Sequence, residues 1–290
     1  MENQTTQNTR VSQAFFERPQ VQLQEIPVGG GVRLGLERVF NPEVGIGGIY
    51  GTWGEGYSNI TLPLLVEERL GRPLRNEERL NLTELGFEFR HHVPRLSDPE
   101  HIELEVEVGA RLLGEAARTC GWEPSEVQAV LLGITAPVSD DYTERIAREA
   151  GIPDSAVKVS IHKACDGSVA ALNLALNPEL PIQQRLPQNL AQELRGKKVL
   201  LGGLEGLSRH LSSSHDAQAL QLFGNGAGIV GVIPGRTARF LAGGMHEVYD
   251  EEGVLQVRMS YPHSGQRAEG QSTLEVTLAG QNHIRIAGLM

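Results

Sequence analysis

Cysteine is scarce in this 290-residue chain: only Cys120 and Cys165 are present. Two thiols exclude a disulfide framework and a clustered-thiolate zinc site. Long apolar runs are missing as well. No stretch of 18 apolar residues occurs, and the polar opening MENQTTQNTRVSQ lacks an apolar signal region, so neither a membrane span nor a secretory peptide is predicted and the expected address is the cytoplasm. Basic charge is in deficit, with 26 Lys and Arg against 36 Asp and Glu and a net charge of -10. That balance argues against general nucleic-acid binding and leaves room only for a local basic patch. The glycines of GIGG at 45–48 have neither dinucleotide-loop spacing nor a P-loop lysine, and read as a tight turn. No His, Asp or Glu cluster has ligand spacing on one predicted face, so no metal is expected.

What is present suits a soluble α/β enzyme of one large or two ordinary domains: 40% hydrophobic residues and 34 glycines. Residues 1–44 are rich in Gln, Asn and Pro, pass through GGG at 29–31, and read as an irregular arm outside the core. Asn59, Ile60 and Thr61 offer a cap before LPLLVEERLG, whose apolar positions recur at helical spacing. In IELEVEVGARLLGEAARTCG (102–121), Ile102, Val106, Ala110, Leu113 and Ala117 share one helix face and Gly121 supplies the C-cap. VQAVLLGI (127–134) is a buried strand, YTERIAREAGI (142–152) a helix closed by Gly151, KVSI a strand, SVAALNLAL a helix, and 198–203 another buried strand. FGNGAGIVGVIPG (223–235) puts a glycine turn before one more strand. The alternation predicts a mainly parallel sheet.

Cys165 falls between the KVSI strand and the small-residue helix that follows. A thiol at a helix N-terminus faces unpaired backbone N–H groups and the positive end of the helix dipole, which favour thiolate and can hold a developing oxyanion. The position suits a nucleophile, and equally a buried structural cysteine.

Several blocks in register resemble the β-ketoacyl-acyl-carrier-protein synthase III branch of the thiolase superfamily. LNLTELGFEFRHHV (80–93) is similar to a family segment ending in Gly-Ile-x-x-Arg, with Gly86 and Arg90 in the matching places. AVLLGITAP, VSIHKACDGSVAAL, KVLLGGLEGLSR, LFGNGAGIVGVI (Asn225 where the family has Asp) and LEVTLAGQNHIRIAG follow in order. The resemblance implies a thiolase-like α-β-α-β-α layered sandwich, with residues 1–44 as an extension, 45–235 as a complete first half bearing the nucleophile, and 236–290 as the start of an incomplete second half. It implies a homodimer and an acyltransferase of fatty-acid or related acyl-chain synthesis. Cys165 would form an acyl-enzyme that condenses with a malonyl thioester. Substrate contacts are expected at Arg90, Arg209, Leu278, Gly280, Gln281 and Ile284. Acyl-CoA or acyl-carrier-protein thioesters would be substrates, acyl carrier protein a partner, and no cofactor resident.

The chain also departs from the family. It stops at Met290 before the family's His and Asn blocks, and none of its nine histidines lies in such a context. His162 is the one local substitute base. Leu80 and Glu84 replace the tryptophan and arginine that meet the coenzyme adenine, and Ser139 and Asp140 fall near the family's aromatic tunnel gate. A catalytically silent partner subunit, a fragment, or a non-condensing acyl transferase therefore stands as the alternative. His91 and His92, with Arg90 and Arg95, read as a basic patch or a solvated turn. Arg209 reads as a coenzyme-phosphate contact or a surface salt bridge. Asp98, Glu100, Glu103 and Glu105 read as a dipole-favoured helix start.

Overall fold

A computed structural model of the chain describes residues 24–43, 45–94, 96–134, 141–161, 166–179, 189–211 and 214–241, and the strands at 257–260 and 275–278. Seven strands make one sheet: β1 Gln24–Pro27, β2 Arg33–Asn41, β3 Ile46–Trp53, β6 Ala129–Gly133, β7 Val157–Ile161, β8 Val199–Gly206 and β9 Asn225–Val232, in the order β1-β2-β3-β9-β8-β6-β7. Two further antiparallel pairs join β4 Glu55–Ser58 to β5 Phe89–His92 and β10 Val257–Ser260 to β11 Glu275–Leu278.

The sheet is not mainly parallel. Only β6–β7 and β6–β8 run parallel, while β8–β9, β9–β3, β3–β2 and β2–β1 are antiparallel. Parallel neighbours need a long crossover, and a helix supplies one after β6 and again after β7. Strands β1, β2 and β3 are joined by short turns, which permit only the antiparallel arrangement. The arm expected to be irregular through residue 44 is instead structural from residue 24, because β2 lies along the whole of β3 and puts Leu34 and Leu36 into the core.

The helices are α1 Leu62–Leu70, α2 Asp98–Thr119, α3 Tyr142–Glu149, α4 Gly167–Leu176, α5 Leu190–Glu193, α6 Ser208–Leu211 and α7 Ala217–Leu222. Side chains alternate along a strand, so the central strands β6, β8 and β9 feed two cores. Val130, Leu132, Leu200, Leu204, Ile49, Trp53, Leu34 and Leu36 point to one face and pack with Leu112, Leu113, Ala116 and Ile146 of α2 and α3. Ala129, Leu131, Val199, Leu201 and Val232 point to the other and pack with Ala170, Ala171 and Ala175 of α4 and Leu190 of α5. A smaller third core, with Leu62, Val66, Leu74, Leu82, Leu211 and Leu220, makes a lobe from α1, α6, α7 and the loop between α1 and β5. Helix α2 starts where Glu100 accepts the Ser97 N–H at 2.8 Å, and stops as expected before Gly121, whose φ of 71° lies in the left-handed region. Among the described residues no helix is long and apolar enough to cross a membrane.

Candidate active site at the carboxyl edge of the sheet

The parallel strands β6, β7 and β8 end side by side, the usual place for a site in an α/β sheet. Helix α4 begins against this edge. A methyl on Gly133, the last residue of β6, would lie 2.3 Å from the Gly167 carbonyl carbon, and one on Gly167 would lie 2.7 Å from the Gly133 Cα. Two glycines thus bring the helix N-terminus onto the strand end with backbone against backbone. The segment 162–165 links Ile161 of β7 to Asp166 before α4; Cys165 and His162 lie there, outside the described residues. Ser139 and Asp140 also lie outside them, as do Gly280, Gln281 and Ile284. Leu278 is the last residue of β11, its backbone opposite Val257 of β10, and its side chain lies outside the described part.

Beside this edge runs a buried polar belt. Glu105 of α2 accepts a hydrogen bond from the Tyr142 hydroxyl at 2.9 Å and from Arg209 Nε at 3.2 Å. Arg209 is 2% exposed, so its partner is a buried carboxylate and not a surface acid. Burial pushes the Glu105 carboxyl up, against the opposing pull of Arg209 and Tyr142, and burial followed by the Glu105 charge holds the Tyr142 phenol well above its usual value. Gly206 makes room for this pair, since a methyl there would sit 2.5 Å from the Glu105 carboxyl.

One step along the belt, the Ser208 backbone N–H donates to Asn225 Oδ1 at 3.0 Å and Asn225 Nδ2 donates to the Trp53 carbonyl at 3.2 Å. Asn225 therefore ties the ends of β8, β9 and β3 together. The Ser208 hydroxyl accepts the Val93 N–H at 3.2 Å and lies 3.4 Å from His92 Nδ1. His92 and His101 are 1% and 2% exposed, and the Nε2 of each is buried without an acceptor or donor among the described residues. Burial first, then the charges of Arg69, Arg90 and His91, drives His92 down to about 3; burial, then Arg209 and Arg69, drives His101 down to about 4. Both imidazoles are neutral at pH 7 and are weak bases, unsuited to taking a proton from a thiol. The belt positions loops and sets the local field.

Arg90 is half-buried on β5, with its guanidinium carbon 3.3 Å from the centre of the Phe87 ring. Gly86 takes a φ of 84°, consistent with a glycine at that place in the matched segment. His91 and His92 stand on a strand and not on a solvated turn. Of the acidic run at the start of α2, Glu100 completes the capping box with Ser97, whereas Glu105 is the buried partner of Arg209. Glu105, Tyr142, His101, Ser208 and Asn225 were not singled out for these roles by sequence reasoning. For Glu105 a signal existed: it stands three residues after Ile102 and beside Val106, inside the apolar stripe of the helix, where an acid needs a buried partner. Among the described residues no group of three or more His, Cys, Asp or Glu side chains is placed to hold a metal ion.

No protein-family profile matches the chain. No curated protein matches it in a sequence comparison. Solved structures do. It is similar to 1,3,6,8-tetrahydroxynaphthalene synthase of Streptomyces coelicolor A3(2), a bacterial type III polyketide synthase, at 14% identity and a TM-score of 0.54, over 78% of this chain and 64% of that one. Weaker likenesses are to 3-oxoacyl-[acyl-carrier-protein] synthase III of Aquifex aeolicus VF5 (18% identity, TM-score 0.47, 69% of this chain and 59% of that one) and to the fungal type III polyketide synthase ORAS (19%, 0.43, 70% and 56%). The chain spans 56 to 64% of the length of the first solved structures it matches. With the mixed sheet, the helices on both its faces and the glycine-seated α4, the described residues have a thiolase-like α/β fold.

Proposed function

We propose that the protein is a thiolase-type acyltransferase that condenses acyl thioesters, with Cys165 as nucleophile. The observation that carries the reading is the seat of α4: Gly133 and Gly167 press the helix N-terminus onto the carboxyl edge of β6, and in the sequence Cys165 stands one residue before Asp166, the N-cap of that helix. Its first N–H groups have no partner within the helix and carry the positive end of the dipole. The Cys165 thiolate attacks the acyl carbonyl, an S–C bond forms, and the donor's thiol leaves. A malonyl thioester then loses CO2, and its carbanion attacks the acyl-enzyme carbonyl and expels the Cys165 thiolate.

Arg90, Leu278, Gly280, Gln281 and Ile284 are our candidates for substrate contacts. Arg209 acts differently in this reading: its ion pair with Glu105 holds the β8–α6 connection against α2. Acyl carrier protein is the proposed donor partner, and a cytoplasmic homodimer the proposed form. The reading names a reaction class and covers fatty-acid and polyketide assembly alike.

Intact-mass spectrometry after incubation with acyl-CoA and acyl-carrier-protein thioesters tests it. We expect a gain of one acyl group that Cys165→Ser abolishes. A folded protein that takes up no acyl group from any donor would sink the autonomous-enzyme reading and leave a silent thiolase-like subunit.

A further inference from the structure

The arginines of the described chain are mostly matched to acids. Arg33, Arg38, Arg72, Arg75, Arg79, Arg118, Arg145, Arg148 and Arg209 each meet an Asp or Glu. Among those that are not exposed, Arg145 pairs with Glu103, Arg209 with Glu105, and Arg69 donates to the Val93 carbonyl at 3.3 Å. Arg90 breaks the pattern. It is half-buried, its Nε is enclosed without an acceptor, and no carboxylate or carbonyl accepts from its Nη atoms among the described residues. In a chain with a net charge of -10, a counter-ion was available and is not used.

The side chain is nonetheless held in place. The guanidinium carbon sits over the Phe87 ring at 3.3 Å, and Gly224 keeps the wall open, since a methyl there would come within 3.4 Å of Arg90 Cδ and 3.0 Å of the His91 carbonyl oxygen. Neighbouring His92 is neutral and brings no negative charge. Burial, opposed only by a smaller pull from Tyr50, drives the Arg90 guanidinium down to about 10, the mark of a cation that has lost water without meeting a carboxylate. A planar fork fixed on an aromatic ring, with its Nη edge unclaimed, matches an oxyanion in two-point contact. Gly224 directly precedes Asn225, whose backbone pairs with Gly206 at the carboxyl end of β8. The fork thus stands on the same edge of the sheet as the α4 N-terminus.

We propose that Arg90, stacked on Phe87 beside Gly224, is an anion site that receives one carboxylate or phosphate group. Only its assignment to the acyl donor rests on the condensing reading above.

The first test uses the full chain labelled with 15N-arginine. Its Nε–Hε resonances are followed while sodium phosphate or sodium acetate is added, with sodium chloride at matched ionic strength as control. The Arg90 resonance, assigned through its own backbone, shifts saturably with an oxyanion and not with chloride. By calorimetry Arg90→Lys, which keeps the charge and loses the fork, weakens phosphate binding about tenfold or more. Arg111→Lys, at an exposed position, leaves it unchanged. A wild-type Arg90 resonance that follows chloride as it follows phosphate and acetate overturns the site, whether or not the lysine variant folds.

The second test compares acylation of Cys165 by S-acyl pantetheine and by its 4′-phosphate. A preference of about tenfold for the phosphorylated handle, erased by Arg90→Lys, assigns the oxyanion to the donor. Equal acylation by both handles with saturable phosphate binding makes it a separate ligand of the same site. Saturable binding with no acylation by either handle removes the condensing reading and leaves the anion site standing.

Discussion

The two faces of the seven-stranded sheet are covered in different ways. On one, α2 lies across β2, β3, β8 and β9, and the contact is made by bulky side chains: Leu34, Leu36, Ile49 and Trp53 from the strands, Leu112 and Leu113 from the helix. On the other, α4 rests on β6 and β8 through small residues, with Gly133 against Gly167, and a methyl on Gly203 would lie 3.5 Å from the Ser168 Cβ. The first contact resembles an ordinary protein core, in which rotamers can adjust to one another. In the second there is little to adjust, because main chain meets main chain. On the α4 side of β2 and β3, Val39 and Tyr50 are 55% and 49% exposed. Side-chain packing supplies most of the burial, and glycine packing fixes the position of one helix end. That is the division expected if the α4 N-terminus carries the chemistry.

The sharpest way to break the comparison is to add a methyl on the α4 side. In Gly133→Ala the new Cβ would meet the Gly167 carbonyl carbon at 2.3 Å and the Ser168 nitrogen at 2.7 Å. No rotamer relieves a clash with backbone, so the helix must move off the strand. We expect a loss of about 4 kcal/mol in chemical denaturation, and slower acylation of Cys165 in whatever remains folded. A variant that loses less than about 1 kcal/mol would show that α4 is not held by this contact. The second way removes volume on the α2 side. Leu112 is fully buried, and Leu112→Ala leaves a cavity worth about 3 kcal/mol, while the α4 seat and the acylation rate stay as they were. Loss of acylation at retained folding would show that the two faces are not independent.

The sequence displayed the side-chain face far better than the glycine face. Ile102, Val106, Ala110, Leu113 and Ala117 announce α2 by spacing alone, and Gly121 and Gly151 mark helix ends by their left-handed conformations. The small residues of SVAALNLAL imply a helix in a tight place, but which glycine it meets is a long-range fact that no local pattern carries. Strand direction was hidden for the same reason: periodicity locates a strand and says nothing about its neighbours. In the candidate site, residue type and order single out Arg90 and Cys165 as candidates. The Glu105–Arg209–Tyr142 cluster was not singled out, because Tyr142 and Arg209 stand 37 and 104 residues from Glu105 and only the fold brings them together.

The mildest change sharpens the comparison most. Gly51 of β3 faces α2, and a methyl there would come 2.6 Å from Leu112 Cδ2, 3.4 Å from its Cδ1 and 3.5 Å from its Cγ. On paper this clash is close to that at Gly133, but the atoms concerned end a side chain that can turn. Alanine also recovers about 0.5–1 kcal/mol of the entropy that glycine loses in a strand. Gly51→Ala should therefore cost about 1 kcal/mol or less. In the Leu112→Ala background it should be favourable, because its methyl enters the space that the leucine vacated. The double variant should then be more stable than the sum of the single effects requires, by about 0.5–1 kcal/mol, the lower part of the range of about 0.5–3 kcal/mol measured for residues in contact. Denaturation of the four proteins of this cycle decides the point. If Gly51→Ala costs as much as Gly133→Ala, side-chain freedom does not separate the two faces, and the special status of the α4 seat is lost.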